Sequence, residues 1–197
     1  HPGITLKLSV NNREIVLAQL ASNEIDLAIT GRPPEHLDTV AEAFAPHPHV
    51  IVAHPAHLLA RKRHIPLKRI AEEDFLMREP GSGTRGLLER LFASHGLPLK
   101  MSMEMASNES IKQAVMAEMG VAFLSLHTVG LELATRHLVT LNVQGLPVVR
   151  DWYVVHLASK RLSPIALALK DFLRAEAGSF LGAWGHAAPL RHAILPN

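Results

Sequence analysis

The sequence has no cysteine among its 197 residues, which excludes disulfides, thiolate metal sites and cysteine nucleophiles. It also has almost no net charge, because 20 Lys and Arg stand against 18 Asp and Glu, a balance unlike that of a nucleic-acid-binding surface. No apolar run reaches the ~18 residues of a membrane span, and the first residues lack a signal-peptide pattern. We therefore expect a soluble, cytoplasmic protein with no membrane partner.

What the sequence does have is a glycine-rich stretch at residues 75–86, within a chain that is 48% hydrophobic and long enough for one large or two small domains. The stretch predicts a buried strand, a glycine turn and the start of a helix. Helix N-termini present unpaired N–H groups and partial positive charge. Here Ser82, Gly83, Thr84 and Arg85 add hydroxyls, a small residue and a cation, so the stretch predicts an anion site.

A strand–helix–strand unit is predicted near the beginning of the chain. Residues 4–10 alternate apolar and polar side chains like a strand, Asn11 starts a capping-box-like helix, and residues 26–30 form a short apolar strand. In such units the carboxyl ends of the strands face the ligand crevice. The rim is therefore expected to carry Asn11, Asn12, Thr30 and Arg32.

A second unit is predicted further along, with strands at residues 100–106 and 121–126 around an amphipathic helix at 108–120. Its rim is expected to carry Asn108, Glu109 and Ser125. The methionines are expected to fill the core; they are Met101, Met103, Met105, Met116 and Met119.

Two apolar strands, at residues 50–53 and 152–157, stand apart from these units. Pro46 and Pro48 precede the first of them and Pro55 follows it. Prolines on both sides suggest a crossing between two lobes instead of a position in the middle of a sheet. From Gly178 onward no helical or strand period is visible, and we expect a poorly ordered tail.

The glycine stretch has several possible interpretations. Gly81, Gly83 and Gly86 spell GxGxxG, and Glu104 lies near the offset of a ribose-binding acid, so a dinucleotide site stays open. Against it, charged residues and a proline precede the first glycine, and the stretch follows another unit. The glycines could also serve only a tight turn.

Metal binding and nucleophilic catalysis are less well indicated. His47, His49, His54 and His57 are close in sequence, but their spacing gives no helical pair and no tetrahedral set. Ser82 lacks a GxSxG elbow and an assignable His and Asp. We expect no metal, no catalytic residue and no bound cofactor.

With these residues identified, the sequence resembles the effector-binding domain of LysR-type transcriptional regulators, in particular those of Calvin-cycle (RuBisCO) operons. The resemblance covers nearly everything up to about Gly178. It rests on residues 26–29, 31–34, 78–85, 107–115, 120–125 and 161–164.

The resemblance implies an α/β fold of two Rossmann-like lobes joined by two crossover strands, like type 2 periplasmic binding proteins. Lobe I would comprise residues 1–48 and 158–197, and lobe II residues 49–157. The DNA-binding winged helix-turn-helix of such regulators, and the first strand and helix of lobe I, are absent before His1. DNA would then be bound only through that missing domain.

The resemblance also implies a small anionic effector between the lobes. Candidates are ribulose bisphosphate, phosphoglycolate, other sugar phosphates, NADPH and ATP. We expect the ligand to contact Ser82, Gly83, Thr84 and Arg85 in lobe II and Thr30 and Arg32 in lobe I, with Asn108 and Ser125 as further contacts. The implied assembly is a dimer of effector domains and a tetramer of whole chains.

Two alternatives on the same fold remain. An enzyme would need a general base in the cleft, for which Glu109 is the one sensible candidate. A periplasmic-type solute-binding receptor would need an export signal upstream of His1.

Overall fold

The structure is a computed structural model that describes residues 3–31 and 35–184, so Arg32 and the end of the tail lie outside the described residues. The elements in chain order are α1 (Arg13–Ala21), β1 (Ala28–Thr30), β2 (Thr39–Ala53), α2 (Leu67–Ile70), β3 (Phe75–Arg78), α3 (Gly83–Ser94), β4 (Met101–Met105), α4 (Asn108–Met116), β5 (Ala122–Ser125), a 3-10 turn (Leu126–Thr128), α5 (Gly130–Ala134), β6 (Val139–Thr140), β7 (Val148–Leu157) and α6 (Pro164–Trp184).

Two long antiparallel strands connect the two halves of the molecule. β2 and β7 pair from Thr39 opposite Leu157 to His49 opposite Val148. β1 pairs with the outer edge of β7, whereas β5 and β6 pair with the last residues of β2. We call the half with α1, β1 and α6 lobe I, and the half from α2 to β6 lobe II. Val155 of β7 packs with lobe I residues, so both long strands belong to both halves, and the exact lobe bounds stay a prediction.

Lobe II is a parallel sheet with helices on both faces. β3 and β4 run parallel, and Phe75 also bridges Val121 just ahead of β5, in the same direction. One face packs α3 through Phe75 and Phe92, and the other packs α4 through Leu76 and Ile111. Burying both faces accounts for the near-continuous apolar sequence of these short strands. The predicted second unit is thus confirmed.

The predicted first strand is wrong. Residues 4–10 have no regular secondary structure, and Leu6, Leu8 and Val10 are exposed. Alternating sequence makes a strand only when a neighbouring backbone accepts its hydrogen bonds. In the part of the chain that the structure describes, no strand pairs with this segment. The helix that follows begins one residue later than predicted, because Asn12 and not Asn11 caps it by accepting the N–H of Ile15 at 3.0 Å.

Two prolines that the sequence analysis places before the crossover strand lie within it instead. β2 runs through Pro46 and Pro48, opposite Asp151 and Val149 of β7. Because β5 joins only from His49 onward, one edge of β2 is unpaired at the prolines, and an unpaired edge tolerates the missing N–H.

Two further expectations about order and burial need correction. α6 continues past Gly178 to Trp184, and the helix lies against β2. Met101 and Met103 are exposed and not core residues, since β4 is an edge strand whose side chains meet solvent. Met119, which follows α4, is exposed as well.

The described residues contain neither a membrane-spanning helix nor a cluster of metal-binding side chains. No helix there has the length and apolar character needed to cross a membrane. Within residues 3–31 and 35–184, no three side chains of His, Asp or Glu are placed to hold a metal ion.

Candidate functional site

Polar residues from three segments meet at the carboxyl edge of the lobe II sheet. Because β3, β4 and β5 are parallel, their last residues lie at one edge, with neighbouring strands about 4.8 Å apart. α3 begins beside that edge with Ser82 as its N-cap, and the N-cap of α4 is Ser107, which accepts the N–H of Ser110 at 3.2 Å. Ser125 ends β5. The structure therefore brings Ser82, Asn108 and Ser125 to one edge.

The N-terminus of α3 is suited to an anion. The N–H of Gly86 donates the first helical hydrogen bond to the Ser82 carbonyl at 3.1 Å, so the N–H groups of Gly83, Thr84 and Arg85 precede the helical ladder. The Ser82 side chain is buried but makes no capping hydrogen bond. Its hydroxyl and these N–H groups can bind an oxyanion.

Lobe I packs directly on this glycine turn. The N–H of Glu14 donates to the Gly81 carbonyl at 3.3 Å. Gly81 has φ +82°, and a Cβ there would collide with the Glu14 carboxylate. A Cβ on Gly83 would lie 3.4 Å from Cδ of Arg13. The glycines therefore permit a turn and a close lobe contact, which accounts for the GxGxxG pattern without a dinucleotide.

A charged pair also lies between the lobes at this point. Arg78 binds Glu79 through two hydrogen bonds of 2.7 and 2.9 Å and donates a third to Asn108 Oδ1 at 2.7 Å. Burial raises the pKa of Glu79, but hydrogen bonds from Arg78 and from Asn12 of lobe I lower it overall below its usual value. Glu79 is therefore an ionised carboxylate that bridges the lobes. Sequence patterns did not mark Arg78 as a site residue, although a charged pair directly after a buried strand was the available signal.

Arg85, the predicted ligand cation, is already engaged by protein groups. Its guanidinium donates to Glu89 at 2.8 Å, to Glu104 at 2.6 Å and to the carbonyl of Arg78 at 3.1 Å. The hydrogen bonds that Arg85 donates to these carboxylates raise its pKa further. Glu104, the candidate ribose-binding acid, thus serves as an ion-pair partner on β4.

The lobe I end of the site lies against the crossover strands. Thr30 is buried at the end of β1, opposite Tyr153 of β7. A Cβ on the next residue, Gly31, would lie 3.2 Å from Nδ1 of His47. Arg32 follows, outside the described residues, so its predicted contact stays a prediction.

A cluster of aromatic rings lies on the crossover strands beside these residues. The His47 ring stacks on Trp152 with centroids 3.6 Å apart and contacts His49 at 4.1 Å. Nε1 of Trp152 donates to Nδ1 of His127 at 3.3 Å. Burial lowers the pKa of His47 to about 2 and that of His49 to about 4, so both rings are neutral near pH 7. Neither histidine was predicted as part of this site.

Other candidate residues lie in structural ion pairs. His54 lies 3.5 Å from Glu118, and His57 lies 3.3 Å from Glu73, so the four histidines considered for a metal are divided among different partners. Glu109, the candidate general base, is 73% exposed and pairs with Lys112 at 2.8 Å. An exposed, paired carboxylate is poorly suited to abstract a proton.

Comparison with known proteins identifies the class that this fold and cleft define. The family model described as the LysR substrate binding domain matches residues 1–178. The chain belongs to this family, which confirms the resemblance and the type 2 periplasmic-binding-protein-like fold. It is an effector-binding domain.

Particular relatives narrow the class. The chain is 49% identical to the RuBisCO operon transcriptional regulator of Allochromatium vinosum over 90% of its length, and 48% identical to the HTH-type transcriptional regulator CfxR of Cupriavidus necator over 92%. It covers 59% and 57% of those two proteins. It is also 50% identical to CbbR of Rhodospirillum rubrum, covering 90% of this chain and 58% of that protein. These relatives are transcriptional regulators and not enzymes.

A solved structure with the same fold has a ligand. The regulatory domain of CcmR from Synechocystis PCC6803, in complex with 2-PG, is 40% identical, with a TM-score of 0.85, and the match covers 89% of this chain and 84% of that one. The effector-binding domain of QuiR, in complex with shikimate, has a TM-score of 0.75 at 22% identity, covering 86% and 79%. The second likeness concerns the fold alone.

Proposed function

We propose that this chain senses a phosphorylated or carboxylated metabolite in the cleft between its lobes and, as part of a longer regulator, controls Calvin-cycle genes. The relatives named as RuBisCO operon regulators support the second part. The observation that carries the first part is the N-terminus of α3, where Ser82 is buried without a capping bond while lobe I packs on the turn before it.

The proposed ligand contacts follow from that geometry. An oxyanion at the N–H groups of Gly83, Thr84 and Arg85 would be held by charge–dipole attraction and by the hydroxyls of Ser82 and Thr84. Arg78 and Asn108 lie at the same edge, and Thr30, Ser125 and Arg32 would contact the rest of the ligand. Phosphoglycolate is one candidate, because the related CcmR domain binds 2-PG. Ribulose bisphosphate, other sugar phosphates and NADPH are the others.

The proposal also covers the location of the whole protein, its DNA binding and its assembly. The named relatives carry out transcriptional regulation, so we place this protein in the cytoplasm and assign DNA binding to a domain outside this chain. We also propose a homodimer of effector domains. Exposed apolar side chains at residues 4–10 and on the edge strand β4 support it, since a second copy could cover both.

Isothermal titration calorimetry tests the anion site. We expect the chain to bind 2-phosphoglycolate, and Thr84→Val with Ser82→Ala to weaken binding by about tenfold or more, because two charge-assisted hydrogen bonds are lost. Thr135→Val, on the exposed end of α5, is the matched control and should leave affinity unchanged. Unchanged affinity in the double variant would show that the anion binds elsewhere.

A further inference from the structure

His47 is a buried polar residue that the proposed anion site does not use. Only 5% of its surface is exposed, and neither Nδ1 nor Nε2 has a hydrogen-bond partner. The hydroxyl of Ser125, a residue that is 4% exposed, is also without a partner. Buried polar atoms are normally paired, because leaving them unpaired costs stability. Two such residues close together point to a ligand group.

The two residues share one face of the sheet where the lobes meet. Ser125 lies directly opposite His49 in the pairing of β5 with β2, and His49 contacts His47 at 4.1 Å. Side chains two residues apart on a strand point to the same face. Ser125 also ends β5, at the edge where α3 begins. The His47 ring and the anion site therefore border the same cleft.

The surroundings of His47 fix its orientation, and the lobe I residue that faces its Nδ1 is a glycine. Stacking on Trp152 holds the ring plane, with an angle of 16° between the two rings. Gly31 faces Nδ1, and a Cβ there would come within 3.2 Å of it. Glycine at this position thus keeps a side chain away from that nitrogen.

The chemistry of a neutral imidazole decides what it can bind. Burial and the neighbouring His49 keep the ring uncharged, so it offers one N–H donor and one acceptor nitrogen and no positive charge. A second anionic group gains little there. A hydroxyl, which donates and accepts, matches the pair formed by an imidazole nitrogen and the Ser125 hydroxyl.

We propose that His47 and Ser125 form a subsite that binds a free hydroxyl of the ligand whose anionic group lies at the α3 N-terminus. The inference rests on the proposed function and predicts tighter binding of phosphorylated compounds that also carry hydroxyl groups than of those, such as 2-phosphoglycolate, that carry none. The subsite determines selectivity among anions, whereas the helix N-terminus supplies the common anion contact.

Calorimetry with two probes tests the subsite: ribulose bisphosphate, which has hydroxyls, and inorganic phosphate, which has no carbon chain. His47→Phe keeps a planar ring against Trp152 but removes both nitrogens, and Ser125→Ala removes one hydroxyl. We expect each to weaken ribulose bisphosphate binding by about three- to tenfold and to leave phosphate binding within about twofold. His137→Phe, an exposed histidine outside the cluster, is the control.

The outcomes separate the two proposals. If wild type binds both probes and the affinity ratio is the same in all variants, the hydroxyl subsite is wrong and the anion site stands. Equal weakening of both probes would also overturn the subsite, because it indicates a general effect on the cleft. If wild type binds 2-phosphoglycolate but not ribulose bisphosphate, the hydroxyl subsite is wrong and the proposed function stands. If wild type binds none of the three compounds, the proposed function fails and this inference fails with it. Thermal unfolding checks folding, and Ser125→Ala provides the test if His47→Phe does not fold.

Discussion

Arg78 and Glu79, which are adjacent in sequence, form a two-hydrogen-bond ion pair at the end of β3, with distances of 2.7 and 2.9 Å. Neighbouring residues within a strand point to opposite faces, so this geometry arises only because the strand ends at Arg78. Glu79 also accepts a hydrogen bond from Asn12 of lobe I. A carboxylate of the protein therefore lies close to the proposed anion site and joins both lobes.

Glu79→Gln is expected to strengthen anion binding. The change removes a negative charge near the α3 N-terminus and releases Arg78 from a charged partner, so the affinity for 2-phosphoglycolate should rise about three- to tenfold. Calorimetry at low and at 0.5 M salt measures it, and the gain should shrink at high salt. Glu72→Gln, at an exposed position in the turn after α2, is the matched control. Weaker binding in Glu79→Gln would place the ligand away from this pair.

Gly81→Ala is expected to destabilise the contact between the lobes. Two costs add: a positive φ of 82°, at about 1 kcal/mol, and a collision with Glu14, at about 1–3 kcal/mol. Gly96→Ala is a matched control, because Gly96 also has a positive φ, of 62°, with nothing within 4 Å. Urea unfolding should show a larger loss for Gly81→Ala. Equal losses would mean that the lobe contact does not constrain Gly81.

Acid should destabilise the protein through its buried histidines. The pKa of His49 is about 4 in the folded chain, against 6.5 for an ordinary histidine. Between those pH values the unfolded chain binds a proton that the folded chain does not, so stability is present above pH 6.5 and is lost as the pH falls toward 4. The slope is at most about 1.4 kcal/mol per pH unit for this residue.

Urea unfolding at pH 7, 6 and 5 checks this expectation with His49→Phe. The variant should lose less stability between pH 7 and 5 than wild type, and the exposed His137→Phe should follow wild type. A variant slope equal to that of wild type would contradict the expectation.

Lys112 is expected to be essential for the stability of lobe II. It is 7% exposed and binds Glu132 at 2.9 Å, Glu109 at 2.8 Å and the Thr128 carbonyl at 3.1 Å. Lys112→Met leaves the largely buried Glu132 carboxylate without its cation, which should cost about 3 kcal/mol. Glu109→Gln, at an exposed position, should cost under about 1 kcal/mol.

The double variant Lys112→Met with Glu132→Leu completes this test. It removes both charges and should recover most of the stability, as measured by thermal and urea unfolding. No recovery would show that the lysine stabilises the fold mainly through the Thr128 carbonyl.

Local patterns predicted much of the fold. The strand, glycine turn and helix start at residues 75–86 and the amphipathic helix α4 all depend mainly on neighbours within four residues. The predicted strand at residues 4–10 failed for the opposite reason. A strand needs partners distant in sequence, and an alternating pattern does not indicate whether they are present.

The features of the candidate site likewise fall into those that the sequence predicts and those that it does not. The sequence by itself determined the glycine turn, the hydroxyls of Ser82 and Thr84, and the family, because helix caps and tight turns are local chemistry. Only the tertiary structure decided that Arg85 pairs with Glu89 and Glu104, and that Glu79 is held by both lobes. It also decided that the His47 ring is buried against Trp152 and that its two nitrogens have no hydrogen-bond partner. Such contacts join residues up to about a hundred positions apart, and they depend on how strands and helices pack.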